Sequence, residues 1–230
     1  MFRLVLFDID GTLISTGGAG VKAFGTAFAK EFGLPEATQS LSFAGRTDLG
    51  LVELIFGQNN IEFTPPEIDR FFKAYFPHLS NFLPTDNTTP LEGVHELIDS
   101  IKQWQPEPVI GLLTGNHPKS AELKLRHYHL WDEFEMGVFG DQSTNRNDVA
   151  KDAWDWAQNR WDDIRPEDIL VIGDTQRDIE CARTIGAKVL AVATGESSVE
   201  ELEKHNPDWA VANLGATALA EFHKKNGAAS

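Results

Sequence analysis

Residues 2–7 form a short apolar block, interrupted only by Arg3, that stops at Asp8-Ile9-Asp10-Gly11. A block of this length closed by a turn signal predicts a buried strand. From 15 to about 88 the apolar positions recur at helical spacing instead. Val21, Phe24, Phe28 and Phe32 form one set, Leu51, Leu54 and Ile55 a second, and Ile68, Phe71, Phe72 and Tyr75 a third. No strand is expected there, and the segment lies between Gly17-Gly18 and the turn-rich stretch 83–90. Beyond Pro90 the pattern alternates. It predicts a helical stripe of Val94, Leu97, Ile98 and Ile101, then a strand at 108–113, a helix at 118–129 and a strand at 134–139. A helix at 147–160, a strand at 169–172 and a helix ending near Ile185 follow, with Gly186 placed to cap it. Strands at 188–193 and 208–211 and a last helix at 216–222 complete the series. Strands alternating with helices predict an α/β fold, a Rossmann-like parallel sheet covered on both faces. Residues 1–15 and 89–230 then form the core, and 16–88 are an all-helical insertion after the first strand.

Composition narrows the function. The chain has 230 residues, 41% of them hydrophobic, including 15 phenylalanines and six tryptophans, enough for a sizeable core. A formal net charge of −15 repels nucleic acid and anionic membranes, so neither is expected as a partner. It also repels phosphorylated substrates, unless a cation or local basic residues reverse the field at the site. The single cysteine, Cys181, has no partner for an intramolecular disulfide. The N-terminal apolar run is too short for a signal peptide, and a cytoplasmic protein is expected.

In an open α/β sheet, ligands bind beyond the carboxyl ends of the strands. Three of those ends are polar: Asp8-Ile9-Asp10-Gly11-Thr12, Thr114-Gly115-Asn116 and Gly173-Asp174-Thr175-Gln176-Arg177-Asp178. Three carboxylates and a hydroxyl gathered at one edge are hard oxygen donors of the kind that suits Mg²⁺.

DIDGT, LLTGN and GDTQRD, in this order, resemble the haloacid dehalogenase-like superfamily of hydrolases, and more narrowly its phosphoglycolate phosphatase-like members. The resemblance implies a helical cap between the first two motifs. It also implies roles. Asp8 matches the nucleophile that forms an aspartyl-phosphate. Asp10 matches the general acid and base, and its backbone carbonyl joins Asp8 and Asp174 in holding Mg²⁺. Thr114 and Gly115 match the phosphate-binding motif, and Asp178 a carboxylate supporting the metal site. The family's third-motif lysine has no direct counterpart. Arg146, which opens a helix in Asn145-Arg146-Asn147-Asp148, is chosen for it over Lys151, although arginine and lysine are not equivalent.

Within the insertion, Phe43-Ala44-Gly45-Arg46-Thr47-Asp48 sits where cap loops of the family touch substrate. Arg46 is therefore a candidate for a carboxylate or second phosphate, set against a solvated Arg46 before a helix cap. His127 and His129, two residues apart on a helix, do not share a face and are expected at the surface. Trp154, Trp156 and Trp161 are expected to pack. The reading is a Mg²⁺-dependent phosphatase for a small phosphorylated metabolite, phosphoglycolate first, acting as a monomer or homodimer. A sugar phosphomutase and a non-catalytic binding protein on the same fold are the alternatives. A dehalogenase is disfavoured because those members lack the second aspartate, and no cap lysine is singled out for a phosphonatase.

Overall fold

The computed structural model of the chain describes residues 2–39, 41–84 and 89–215. Six strands, β1 (Leu4–Phe7), β2 (Val109–Leu113), β3 (Met136–Val138), β4 (Ile169–Gly173), β5 (Lys188–Val192) and β6 (Trp209–Val211), pair in the order β3-β2-β1-β4-β5-β6. All the pairings are parallel. Leu4 of β1 is opposite both Val109 and Ile169, so β1 lies at the centre of the sheet. The chain builds outward from β1 on one side and then on the other. The crevice this reversal opens at the carboxyl ends is where an α/β sheet takes ligands.

The period-two alternation of β1 explains its continuous burial. Val5 and Phe7 enter a cluster with Val94, Leu97, Ile98 and Ile101 of helix α4 (Val94–Lys102). Leu4 and Leu6 face the other layer, with Ala150, Ala153 and Ala157 of α6 (Arg146–Arg160) and Ile179 and Ala182 of α7 (Gln176–Thr184). A strand covered on both faces has no reason to alternate apolar with polar residues. Gly186, at φ +72°, ends α7 in the left-handed conformation, and Ala187 N–H donates to the Ala182 carbonyl.

Residues 19–82 contribute no strand among those described. Helices α1 (Ala19–Phe32), α2 (Asp48–Gln58) and α3 (Pro65–Phe82) enclose their own apolar cluster. Phe71 sits 4.7 Å from the ring of Phe24 and 4.5 Å from that of Phe28. Each such buried ring contributes about 1.5–3 kcal/mol through burial. Helix α3 packs on α5 (Pro118–His127) and ties this cluster to the rest of the molecule. Val21 departs from its stripe: it is 39% exposed and is not among the residues of the buried cluster.

Element edges differ from the sequence pattern by a residue or two. Helix α5 ends at His127, because His129 takes a left-handed φ of +59°. Strand β3 is shorter than expected, and α6 begins at Arg146 with Asn145 as its cap. The helix expected at 216–222 and part of the 83–90 turn lie outside the described residues. No described helix is long and apolar enough to cross a membrane.

Candidate active site

Strand β1 delivers Asp8 to the sheet edge. Its N–H still donates to the Ile172 carbonyl, so Asp8 is held by the sheet itself. Gly11 follows at φ +81°, and a Cβ there would lie 2.3 Å from Asp174 Oδ2. Only glycine lets the loop after β1 come this close to the loop after β4. Gly195 comes equally close, and a Cβ there would fall 1.8 Å from the same oxygen. Thr12 Oγ1 donates to Asp174 Oδ1 at 2.9 Å. Asp174 is thus clasped between two glycine backbones and one hydroxyl.

Asp8, Asp174 and Asp178 each place a carboxylate oxygen within 4.8 Å of the others, and all three are buried. Arg146, the first residue of α6, reaches into this group. Its Nη2 lies 3.0 Å from Asp8 Oδ1 and also donates to Asp178 Oδ1. Asp178 Oδ2 accepts from Thr175 N at 2.9 Å and from Thr175 Oγ1 at 2.7 Å, so both its oxygens are engaged. Lys151, the alternative basic residue, points to solvent and pairs with Asp148.

The field of the cluster follows from burial and crowding. Burial pushes Asp8 up to about 6, with Arg146 opposing and Asp178 and Asp10 reinforcing. Burial, then the Asp178 and Asp8 charges, push Asp174 up to about 8. Burial disfavours the Arg146 charge as well, but the two carboxylates beside it outweigh this and raise its pKa. One arginine does not balance three carboxylates, so the site has an unmet demand for positive charge.

Asp10 lives differently. Its side chain is 43% exposed, against 6% for Asp8, and it stands outside the carboxylate group. Asp10 Oδ2 accepts from Asn116 Nδ2 at 2.9 Å and from Lys124 Nζ at 2.6 Å. Thr114 is fully buried, and its Oγ1 accepts from the Asn116 amide at 2.9 Å. A Cβ at Gly115 would lie 2.0 Å from the Arg46 carbonyl oxygen, and Gly115 O accepts from Asp48 N at 2.7 Å. The room this glycine leaves is therefore used by the segment leading into α2.

Arg46 opens onto a cavity of about 390 Å³ that the sheet edge and the helical segment line together. Asp8, Asp10 and Asp174 form its floor, and Phe24, Phe43 and Arg46 part of its wall. Among the described residues the Arg46 guanidinium has no ionic or hydrogen-bonded partner, which the solvated reading of Arg46 shares. Asp48 beside it is buried, accepting from His117 N at 2.7 Å and Ser120 Oγ at 2.8 Å. Thr47 caps α2, accepting from Gly50 N.

Sequence reasoning gave no role to Lys124, quoted Asn116 only as part of the second motif, and named Asp48 only as an alternative to Thr47 for capping the next helix, a place Thr47 takes. Lys124 reads as one more charge on a polar helix, and only its burial, 5% exposed beside Asp10, sets it apart. His127 and His129 do not meet as a pair, since His127 Nε2 approaches the Pro84 carbonyl and His129 is exposed. The three tryptophans pack against the second sheet layer.

The chain as a whole is similar to known proteins. The family model for haloacid dehalogenase-like hydrolases matches residues 5–192. A phosphoglycolate phosphatase from Synechococcus elongatus is 24% identical over 217 residues, covering 90% of this chain and 91% of its own. The pyrophosphatase PpaX from Bacillus cereus is 24% identical over 215 residues, 89% of each chain. The crystal structure of a hydrolase from Pseudomonas syringae superposes with a TM-score of 0.71 at 17% identity, covering 99% of this chain and 100% of that one. With the family match spanning most of its length, this chain belongs to the haloacid dehalogenase-like hydrolases and is a phosphoric monoester hydrolase of their phosphoglycolate phosphatase-like kind.

Proposed function

We propose that the chain hydrolyses a small phosphorylated metabolite, of which phosphoglycolate is the first candidate, with Mg²⁺ bound and through an aspartyl-phosphate on Asp8. The observation that carries this reading is the buried group of Asp8, Asp174 and Asp178, which Arg146 alone does not neutralise.

The donors fit Mg²⁺. They are hard oxygens, Asp174 sits where two glycine backbones leave room at its Oδ2, and the pair of raised carboxyl pKa values marks a demand for a cation. Asp8, Asp174 and the backbone carbonyl of Asp10 would hold the ion. Once bound, it neutralises charge on the phosphoryl oxygens.

The protein's own groups carry the steps. An Asp8 carboxylate oxygen attacks phosphorus while the ester P–O bond breaks, its electron pair leaving with the substrate oxygen. Asp10 gives that oxygen a proton. A water then loses a proton to Asp10 and attacks the phosphoryl group, and the bond to Asp8 breaks to release phosphate. Splitting the hydrolysis into two displacements is the contribution of the nucleophile. The two aspartates need opposite protonation states at the start, Asp8 ionised to attack and Asp10 protonated to give its proton. Arg146 fixes Asp8, Asp178 fixes Arg146, and Thr114 and Gly115 contribute to the phosphoryl side. Residues 16–88 act as a cap, with Gly17 and Gly18, both at positive φ, as its entry. Arg46 on the cavity wall takes the substrate's second anionic group, the carboxylate in phosphoglycolate.

Turnover of a panel of phosphomonoesters, with Mg²⁺ and with chelator, tests this reading. Phosphoglycolate should rank high, and both chelation and Asp8→Asn should lower turnover by several orders of magnitude. Full activity in chelator would refute the metal dependence.

A further inference from the structure

Lys124 stands on the second turn of α5, and its ammonium is buried at the meeting point of two polar groups. Nζ lies 2.6 Å from Asp10 Oδ2 and 2.6 Å from Asn116 Oδ1. A lysine ammonium donates and cannot accept. Its contact with Asn116 therefore fixes which way that amide is turned: Oδ1 toward Lys124, and Nδ2 toward Asp10 Oδ2 and Thr114 Oγ1, each at 2.9 Å. Two consequences follow from donor counting. Asp10 Oδ2 faces two N–H donors, so a proton carried by Asp10 sits on Oδ1, which has no hydrogen-bond partner among the described residues. Thr114 Oγ1 already accepts from Asn116, so its own O–H is left to donate elsewhere.

We propose that Lys124 is a positioning residue for the hydrolysis, acting through Asn116 and Asp10. It locks the Oδ2 edge of Asp10, so that Oδ1 carries the proton to the leaving oxygen as the P–O bond breaks. It also sets the direction of the hydrogen bonds that run through Asn116 to Thr114. The inference rests on the reading of Asp10 as the proton donor. It does not depend on Lys124 touching substrate. A buried lysine whose charge served only α5 would not need both an aspartate and an amide aligned on it, and α5 has no other buried cation among its described residues.

Leaving-group dependence separates this role from a structural one. A positioned proton donor matters for an alkyl phosphate, whose alkoxide is a poor leaving group, and little for an aryl phosphate whose phenol leaves unaided. General acid catalysis contributes about 10²–10⁴-fold. Lys124→Met should lower kcat/KM for an alkyl phosphate such as phosphoglycolate by about 10²-fold, and that for p-nitrophenyl phosphate by less than about tenfold. Lys124→Gln, which keeps a donor, should show the same ordering with a smaller loss, and is measured beside it in case the first variant folds poorly. In an Asp10→Asn background, Lys124→Met should change aryl phosphate turnover by no more than about threefold. An equal loss on both substrates, no loss, or a full loss in the Asp10→Asn background would overturn the assignment of Lys124. If Asp10→Asn itself lowered kcat/KM, which ends at phosphoryl transfer and so leaves out the water step, equally on both substrates, the role of Asp10 as proton donor would fall first, and that of Lys124 with it.

Discussion

Stripping divalent cations from the protein should make its stability fall steeply as pH rises. The cause is the pair Asp8 and Asp174, whose carboxyl groups rise from an ordinary 3.8 to about 6 and about 8 in the fold. A carboxyl group whose folded pKa is raised keeps its proton in the folded state over a range where the unfolded chain has released it. Its stability contribution is intact below pH 3.8 and is lost as pH climbs through the folded values. Each such group removes up to about 1.4 kcal/mol per pH unit. Summed over both, the metal-free protein should lose on the order of 5 kcal/mol between pH 5 and pH 8, a large part of the about 5–15 kcal/mol typical of a domain. For a chain of this size that corresponds to a melting temperature lower by about 10–20 °C. The assay is thermal unfolding followed by circular dichroism in chelator across that range, repeated with saturating Mg²⁺ and with Asp174→Asn. Mg²⁺ should flatten the slope, because a cation that binds only the folded, ionised site stabilises it by mass action. Asp174→Asn should remove most of the slope without metal. A metal-free stability that stays flat or rises from pH 5 to 8, identical in wild type and Asp174→Asn, would refute the reasoning.

Three further perturbations have definite expected results. Arg46→Ala should raise KM for substrates carrying a second anionic group by about 10- to 100-fold, the worth of a charge-assisted hydrogen bond, and leave KM for a neutral-tailed phosphomonoester within a few-fold; steady-state kinetics on the two substrate types checks this. Phe28→Ala, at the centre of the aromatic cluster of α1–α3, should cost about 3–5 kcal/mol in chemical denaturation. Gly115→Ala should lower turnover well beyond its effect on unfolding, because its Cβ would collide with the Arg46 carbonyl at 2.0 Å and push away the segment that carries Arg46.

The parts of the fold that were legible in the sequence are those with a single physical cause. Strand β1 is apolar because both faces are covered, and α1–α3 show their stripes because each buries one side. Val21 broke its stripe because spacing alone does not say where an apolar side ends. At the site, Asp8 and Asp174 were legible as candidates because strand ends are where an α/β sheet presents chemistry, whereas Arg146 was picked out only through the resemblance to the family's third motif. As the first residue of α6, Arg146 reaches back into the crevice, whereas Lys151, five residues on, faces water. Lys124 and Asp48 were illegible for the opposite reason. Each occupies an ordinary helical position, and its importance comes from burial against residues 114 and 69–72 places distant in sequence, which no local pattern encodes.

Rapid quenching of a single turnover with a phosphorylated substrate, followed by mass spectrometry of the digested protein, tests the central claim most directly. The phosphoryl group should appear on the peptide containing Asp8, accumulate before phosphate is released, and vanish in Asp8→Asn. A phosphoryl group found on another residue, or unchanged phosphate release by Asp8→Asn, would contradict the account.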